Sequence, residues 1–220
     1  MDKVRSFGIP RLFDSVSQAA TSDDLWLRPF NDKEVELFER FRLILEHWSK
    51  AFNLTAIHNP EDFWETHICD SLAVLPLLRG NERILDVGTG GGFPGLPLKM
   101  LLPELEIDLL DGRGKKIEFV KEIIRSFNLQ GARGLHSRLE NFENDKKYDL
   151  IVSRATFPES DWILSIEHLI DADGGALLWR REGALKKEKN AFGISSCCYK
   201  LPHRGYRFIE VWSKVGIDNG

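Results

Sequence analysis

Residues 86–95 read "DVGTGGGFPG", an acid followed two places later by a run with five glycines in eight positions. Glycine at that density lets the backbone turn sharply and approach a bound group closely. Three ligand chemistries compete for such a loop. A phosphate-cradling P-loop ends in Gly-Lys-Ser/Thr, because the lysine and the hydroxyl serve the phosphates and magnesium. Here Gly92 is followed by Phe93 and Pro94, which excludes that chemistry. The dinucleotide fingerprint G-x-G-x-x-G is met at Gly88 and Gly90, but Phe93 stands in place of its third glycine. A bulky ring there obstructs close approach of helix and pyrophosphate. What remains is acid-x-Gly-x-Gly-x-Gly, from Asp86 through Gly88, Gly90 and Gly92. A carboxylate at the mouth of the loop disfavours a pyrophosphate and suits a cationic ligand. S-adenosylmethionine, which carries an ammonium and a sulfonium, is such a ligand.

A second acid supports a nucleoside. Asp111 lies 23 residues past Gly88, at the end of the strand-like "LLD". A carboxylate there can accept hydrogen bonds from both ribose hydroxyls in a Rossmann-like cleft, for NAD as readily as for S-adenosylmethionine. Each acid has a plainer alternative: Asp86 can cap its own loop, and Asp111 can cap the next helix. His67 and Asp70 are three apart on a helix and can face the cleft, although a bond from helix to core is the simpler expectation. Lys115 and Lys116 can touch a phosphate, although they open a helix expected to face solvent. Cys69, Cys197 and Cys198 form no C-x-x-C pair and no Cys/His cluster with zinc spacing, so neither a disulfide framework nor a metal site is expected.

The elements that must hold these residues are legible in periodicity. "NDKEVELFERFRLILEHWSK" predicts a helix, with Asn31 and Glu34 as a capping box and Val35, Phe38, Phe41, Leu45 and Trp48 along one face. A second helix is predicted to start at "NPEDFWETHICDSLAVLPLL", with Asn59 as cap and Pro60 in the first turn. From Glu82 the texture changes to alternation. Strands are predicted at "RILDV", "LEIDLLD", "ARGLHS", "YDLIVSRA", "GALLWRR" and "YRFIEVWS", with helices over "PGLPLKMLL", "GKKIEFVKEIIRSFNL" and "SDWILSIEHLI" between them. Alternating strands and helices predict an α/β, doubly wound, mostly parallel sheet, closed by an antiparallel hairpin. The first 30 residues show no clear period. The expected division is a helical extension over 1–80 and a ligand-binding domain over 81–220.

Composition narrows the partners. The chain has 220 residues and a formal net charge of −4, which argues against simple electrostatic binding of nucleic acid. The charge is uneven, however: residues 112–155 carry 10 Lys and Arg against 6 Asp and Glu, enough for a local basic face. No apolar run reaches the roughly 18 residues of a membrane span, and "MDKVRSFGIPRLFD" has no signal-peptide core. A reduced, cytoplasmic monomer is expected, with no membrane partner.

With these motifs placed, the chain resembles the bacterial ribosomal RNA small-subunit methyltransferase G family, also called GidB. "NLTA" and "HICDSL" before the sheet, "ILDVGTGGGFPGLPL", "LLDGRGKKIEFV", "SRLENF" and "YDLIVSRA" carry the resemblance in order and spacing. It implies a Rossmann-like class I methyltransferase fold, a mostly parallel seven-stranded sheet with an N-terminal helical extension. It also implies transfer of a methyl group from S-adenosylmethionine to N7 of one guanosine in 16S ribosomal RNA, free or in the small ribosomal subunit. By the same resemblance Gly88 and Phe93 touch the cofactor, and Leu139 and Glu140 form the pair at its adenine end. Arg154 matches a site arginine and Arg138 a basic residue tied to activity. Where the family usually shows Lys-Gly after the fifth strand, this chain has "WRREG", so Arg180 or Arg181 stands in the cation's place, and a guanidinium is not equivalent to an ammonium.

The residues agree with N7 chemistry. "RATFPES" replaces the Asn/Asp-Pro-Pro-aromatic loop used for exocyclic amines, and no cysteine falls at a strand end to attack a pyrimidine ring. Guanine N7 already has a free lone pair, so orientation can suffice. Arg154 raises a difficulty, since methylated guanine is cationic and a guanidinium beside it repels it. Pairing with the cofactor carboxylate or an RNA phosphate, or bonding guanine O6, would avoid this. Two further readings stay open: a methyltransferase of the same fold acting on a small molecule or protein, and a non-catalytic cofactor-binding module of ribosome assembly. An NAD-dependent oxidoreductase is a third, disfavoured by Asp86 and Phe93.

Overall fold

The computed structural model describes residues 7–14, 17–18, 25–52, 59–154, 162–180 and 192–214. Two short strands, β1 (Gly8–Pro10) and β2 (Trp26–Pro29), form an antiparallel pair where the sequence showed no period. The long helix α1 (Asp32–Phe52) begins with the expected capping box. Glu34 N–H donates to Asn31 Oδ1 at 3.0 Å, and Asn31 N–H donates back to Glu34 Oε2 at 2.9 Å. Two of the orphan donors of the helix start are thereby satisfied. The next helix, α2, runs through 60–72 and is capped by Asn59, whose Oδ1 accepts from Asp62 N–H at 2.7 Å. Its middle, Trp64–Cys69, is π-helical, a widening that sequence periodicity does not reveal.

The rest alternates as predicted. It comprises β3 (Arg83–Val87), α3 (Gly95–Leu101), β4 (Glu106–Asp111), α4 (Gly114–Ser126), β5 (Ala132–His136), β6 (Tyr148–Ser153), α5 (Trp162–Ile166), β7 (Ile170–Arg180), β8 (Phe192–Leu201) and β9 (Gly205–Lys214). The seven strands from β3 onward lie in the order β5-β4-β3-β6-β7-β9-β8. The first five of these are parallel, while β9 runs antiparallel to both β7 and β8. This is the class I methyltransferase fold. β8 is the strand not foreseen: "FGISSCCYKL" lies on the sheet edge with no clean alternation of burial. An edge strand pairs on one side only, so its pattern is weak.

Alternate side chains of the central strands feed two cores. Ile84, Leu109 and Val152 face α1–α4, whereas Leu85, Leu110 and Ile151 face α5 with Trp162 and Ile166. Phe41 of α1 is fully buried, its ring 5.4–6.4 Å from those of Phe63, Phe93, Phe119 and Phe127. Residues of the first 80 therefore share one core with the sheet. The far end of the sheet is tied back as well: Glu65, 1% exposed, accepts from the backbone N–H of His203 at 2.6 Å and of Arg204 at 3.1 Å in the β8–β9 turn. Among the described residues, no helix is long and apolar enough to cross a membrane.

The Phe41 cluster makes a direct prediction. Phe41→Ala removes a ring packed against four others and should cost about 3–5 kcal/mol of unfolding free energy in urea titrations. A loss below about 1 kcal/mol would mean that α1 does not brace the sheet.

Candidate active site

The glycine loop lies at the carboxyl end of β3, where parallel α/β sheets bind their ligands. Backbone bonds bend it across the neighbouring strand: Gly88 N–H and Thr89 N–H both donate to Leu110 O, at 2.8 and 3.0 Å. Gly88, Gly90 and Gly92 all have positive φ, of 72°, 59° and 88°. At Gly92 a Cβ would come within 2.1 Å of the Leu96 Cδ1 atom, so no side chain fits.

Asp86 corrects a sequence expectation. It does not stand at the mouth of the loop but is fully buried behind it. Its Oδ2 accepts from Thr89 Oγ1 at 2.7 Å and from Gly95 N–H at 2.9 Å, locking the loop to the start of α3. A Cβ on Gly95 would lie 2.8 Å from that oxygen. Burial pushes the Asp86 carboxyl up to about 7 against these two bonds. Its Oδ1 is buried and bonded to none of the described residues.

A cavity of about 360 Å³ opens beside the loop, between the ends of β3 and β4 and the turn 137–140. Val87, Leu110 and Leu139 give it apolar walls, and Gly88, Asp111, Arg113, Lys116, Ser137, Arg138 and Glu140 give it a polar rim. Asp111 Oδ2 accepts from Gly90 N–H at 2.9 Å and Oδ1 from Arg113 N–H at 2.8 Å. Each carboxylate oxygen has a second lone pair, so both can still receive hydroxyls. The group therefore caps its own loop and faces the cavity at once. Acid, apolar wall and exposed glycine backbone fit a nucleoside.

Five expected residues thus meet at this cavity: Gly88, Asp111, Arg138, Leu139 and Glu140. Four do not line it. Gly90 serves through its N–H to Asp111, and Asp86 is the lock. Phe93, expected against the cofactor, is 6% exposed and stacks on the His67 ring at 4.2 Å and 6°. Arg154 turns toward α2: Nη2 pairs with Asp70 Oδ2 at 3.0 Å and donates to Thr66 O at 2.9 Å, while Nη1 donates to Ser71 Oγ at 2.8 Å. Burial and then Arg154 pull the His67 pKa down to about 3, so its ring stays neutral. Lys116, expected in solvent, lines the cavity instead, because α4 starts directly under the loop. Arg180 is spoken for by Glu210 at 3.3 Å, and Arg181 lies outside the described residues, as do "NLTA" and most of "RATFPES".

A larger cleft, of about 530 Å³, lies at the opposite, amino ends of β3, β4 and β5. Its polar groups satisfy one another: Arg133 grips Asp108 through two 2.7 Å bonds and Tyr148 OH donates to the same carboxylate. It is a structural knot.

Two predictions follow from the loop. Gly92→Ala forces a Cβ onto Leu96 at positive φ and should lower stability by about 2 kcal/mol or more, read by urea unfolding. Asp86 binds its proton more tightly in the folded chain than in the unfolded one, where the carboxyl titrates near 3.8. Its contribution to stability is therefore full below that value and is lost as pH rises toward about 7. Asp86→Asn should flatten stability against pH across that window relative to wild type; parallel curves would refute the assignment.

Comparisons place this geometry among known proteins. The family model GidB, rRNA small subunit methyltransferase G, matches residues 34–197. A Ribosomal RNA small subunit methyltransferase G from Legionella pneumophila (strain Corby) is 42% identical, over 66% of this chain and 67% of that protein. One from Myxococcus xanthus (strain DK1622) is 37% identical, over 80% of this chain and 86% of that protein. The crystal structure of a SAM dependent methyltransferase from Aquifex aeolicus superposes with a TM-score of 0.57 at 17% identity, covering 74% of this chain and 97% of that one, a likeness of fold. The family match runs from α1 through the glycine loop and its cavity into β8, and on it the chain belongs to the rRNA small subunit methyltransferase G family.

Proposed function

We propose that this protein transfers a methyl group from S-adenosylmethionine to N7 of a guanosine in 16S ribosomal RNA. The observation that carries the reading is the cavity at the carboxyl end of β3 and β4, walled by Leu110 and Leu139 and rimmed by Asp111 and Glu140. In this reading Asp111 receives the ribose hydroxyls, Leu139 and Glu140 hold the adenine end, and the backbone at Gly88 lets the methionine portion lie close. When bound, S-adenosylmethionine supplies an electrophilic methyl on sulfonium. The buried Asp86 holds the loop shape from behind, its carboxyl raised to about 7 by burial.

The chain's residues need do little acid–base work. Guanine N7 presents a lone pair and no proton, so the chain would have to orient the purine and would need to supply no base. His67, stacked on Phe93 of the loop, is held neutral, consistent with a positioning role. Holding the two reactants in line is worth on the order of 7–11 kcal/mol.

Arg113, Lys116 and Arg138 outnumber the two rim acids. That local excess gives an acidic chain a place for RNA phosphates. Residues 81–220 form the catalytic unit, which residues 1–80 brace, and the protein acts as a cytoplasmic monomer on RNA or on the small ribosomal subunit.

Methyl-labelled S-adenosylmethionine with unmodified small-subunit RNA, naked and assembled, tests this. Label should appear in 7-methylguanosine on nucleoside analysis. Cofactor binding without label on either form would overturn the substrate assignment and favour a small-molecule substrate or a binding module. Arg138→Ala should weaken RNA binding about tenfold and reduce the salt slope by about one, while the fold stays intact. An unchanged slope would remove Arg138 from the phosphate contacts.

A further inference from the structure

Arg154 follows the last residue of β6, and Ser153 beside it donates from Oγ to Val87 O at 2.8 Å, at the root of the glycine loop. The arginine is therefore fixed next to the loop, not on a remote surface. Its side chain is 16% exposed and that of Asp70 only 9%. Both terminal nitrogens are committed to α2, Nη2 to Asp70 Oδ2 and Thr66 O, and Nη1 to Ser71 Oγ.

Asp70 is itself held from two further directions. The wholly buried Tyr199 of β8 donates from its hydroxyl to Asp70 Oδ1 at 2.5 Å, and Trp179 Nε1 of β7 donates to Asp70 O at 2.8 Å. Two elements thus converge on the Asp70 carboxylate, Tyr199 on Oδ1 and Arg154 on Oδ2, while Trp179 fixes the backbone that carries it. That is more apparatus than an arginine needs to anchor a strand end. Ser71 Oγ and the Thr66 carbonyl take up two of its N–H donors, and Asp70 supplies the countercharge that neither of them carries.

We propose that Asp70 is a charge-compensating positioning residue for methyl transfer: it neutralises Arg154 so that the pair can border a site whose positive charge moves from sulfonium to methylated guanine. The inference rests on the reading under Proposed function. During transfer the total charge of the reacting atoms stays at one positive unit, first on sulfur and then on the purine. An uncompensated guanidinium beside the site opposes the bound donor and the product alike, at a cost that grows as water is excluded. The other acid in its field, Asp86, cannot do the same work, because its carboxyl is engaged by Thr89 and Gly95 and titrates near 7.

The test is electrostatic and needs no turnover. Calorimetry gives the dissociation constants of S-adenosylmethionine and of S-adenosylhomocysteine, which differ by the methyl and its positive charge. Their ratio cancels contacts common to both ligands. Asp70→Asn leaves Arg154 unbalanced and should shift the ratio against S-adenosylmethionine by about fivefold. Arg154→Gln leaves Asp70 unbalanced and should shift it about as far the other way. Tyr199→Phe, which loosens the same network without changing its charge, should leave the ratio at the wild-type value. A structural disturbance has no reason to give opposite signs. Ratios within twofold of wild type, or shifts in one direction for both charge variants, would overturn the inference while leaving the proposed reaction standing. Should Asp70→Asn not fold, Arg154→Gln alone decides: a ratio that stays or falls sinks the idea. Wild-type protein that binds neither ligand would take down the proposed function first, and this inference with it.

Discussion

The carboxylate of Asp86 holds the glycine loop against the start of α3 from inside the protein, with Thr89 Oγ1 and Gly95 N–H on the same oxygen. The three positive-φ glycines give the loop freedom, and this lock takes most of it away. With the loop fixed, Gly90 N–H points at Asp111, and the ends of β3 and β4 become a shaped wall. The acid accepts a raised pKa in return for that order.

The N-terminal layer is a second constraint on the same place. Phe41 and Phe63 press on Phe93, which stacks on His67, which rides on the π-helical turn of α2. The same turn offers Thr66 O to Arg154 and Glu65 to the β8–β9 turn. A wider turn exposes extra carbonyl and side-chain positions on one face, and π-helical segments recur at functional sites. Here that face stitches together the glycine loop, the end of β6 and the closing hairpin. Loss of packing far from the cavity would therefore be felt within it.

The electrostatics resolve an apparent contradiction. A chain of net charge −4 belongs to a family that modifies RNA, yet attraction depends on the local field. The net negative charge lies in residues 1–80, with 13 Asp and Glu against 9 Lys and Arg, and acids of α1 such as Glu39 and Glu46 are committed to ion pairs with Arg42. Arg113, Lys116 and Arg138 gather at the cavity. Arg154, which follows the end of β6 beside the loop, is balanced by Asp70. Positive charge is left in excess at the rim and is balanced beside the loop.

Much of this was legible in the sequence. The alternation from Glu82 set the parallel sheet, the Asn31–Glu34 and Asn59–Pro60 signals set two helix starts, and the acid–glycine pattern located the ligand end. These are local properties, written in neighbouring residues and in spacings of 2 and 3.6 residues. The edge strand β8 escaped because pairing on one side imposes no clean pattern. The direction of each side chain escaped for a different reason. Asp86 and Arg154 read as groups aimed at a ligand, and only the packing of α3 and α2 decided that one turns into the loop and the other toward Asp70. Residue type and order determined which chemistry this chain carries. Which charges face one another, across 83 residues from Ser71 to Arg154 or 129 from Asp70 to Tyr199, was decided by tertiary structure alone, because a hydrogen bond across the fold leaves no periodic trace in the chain.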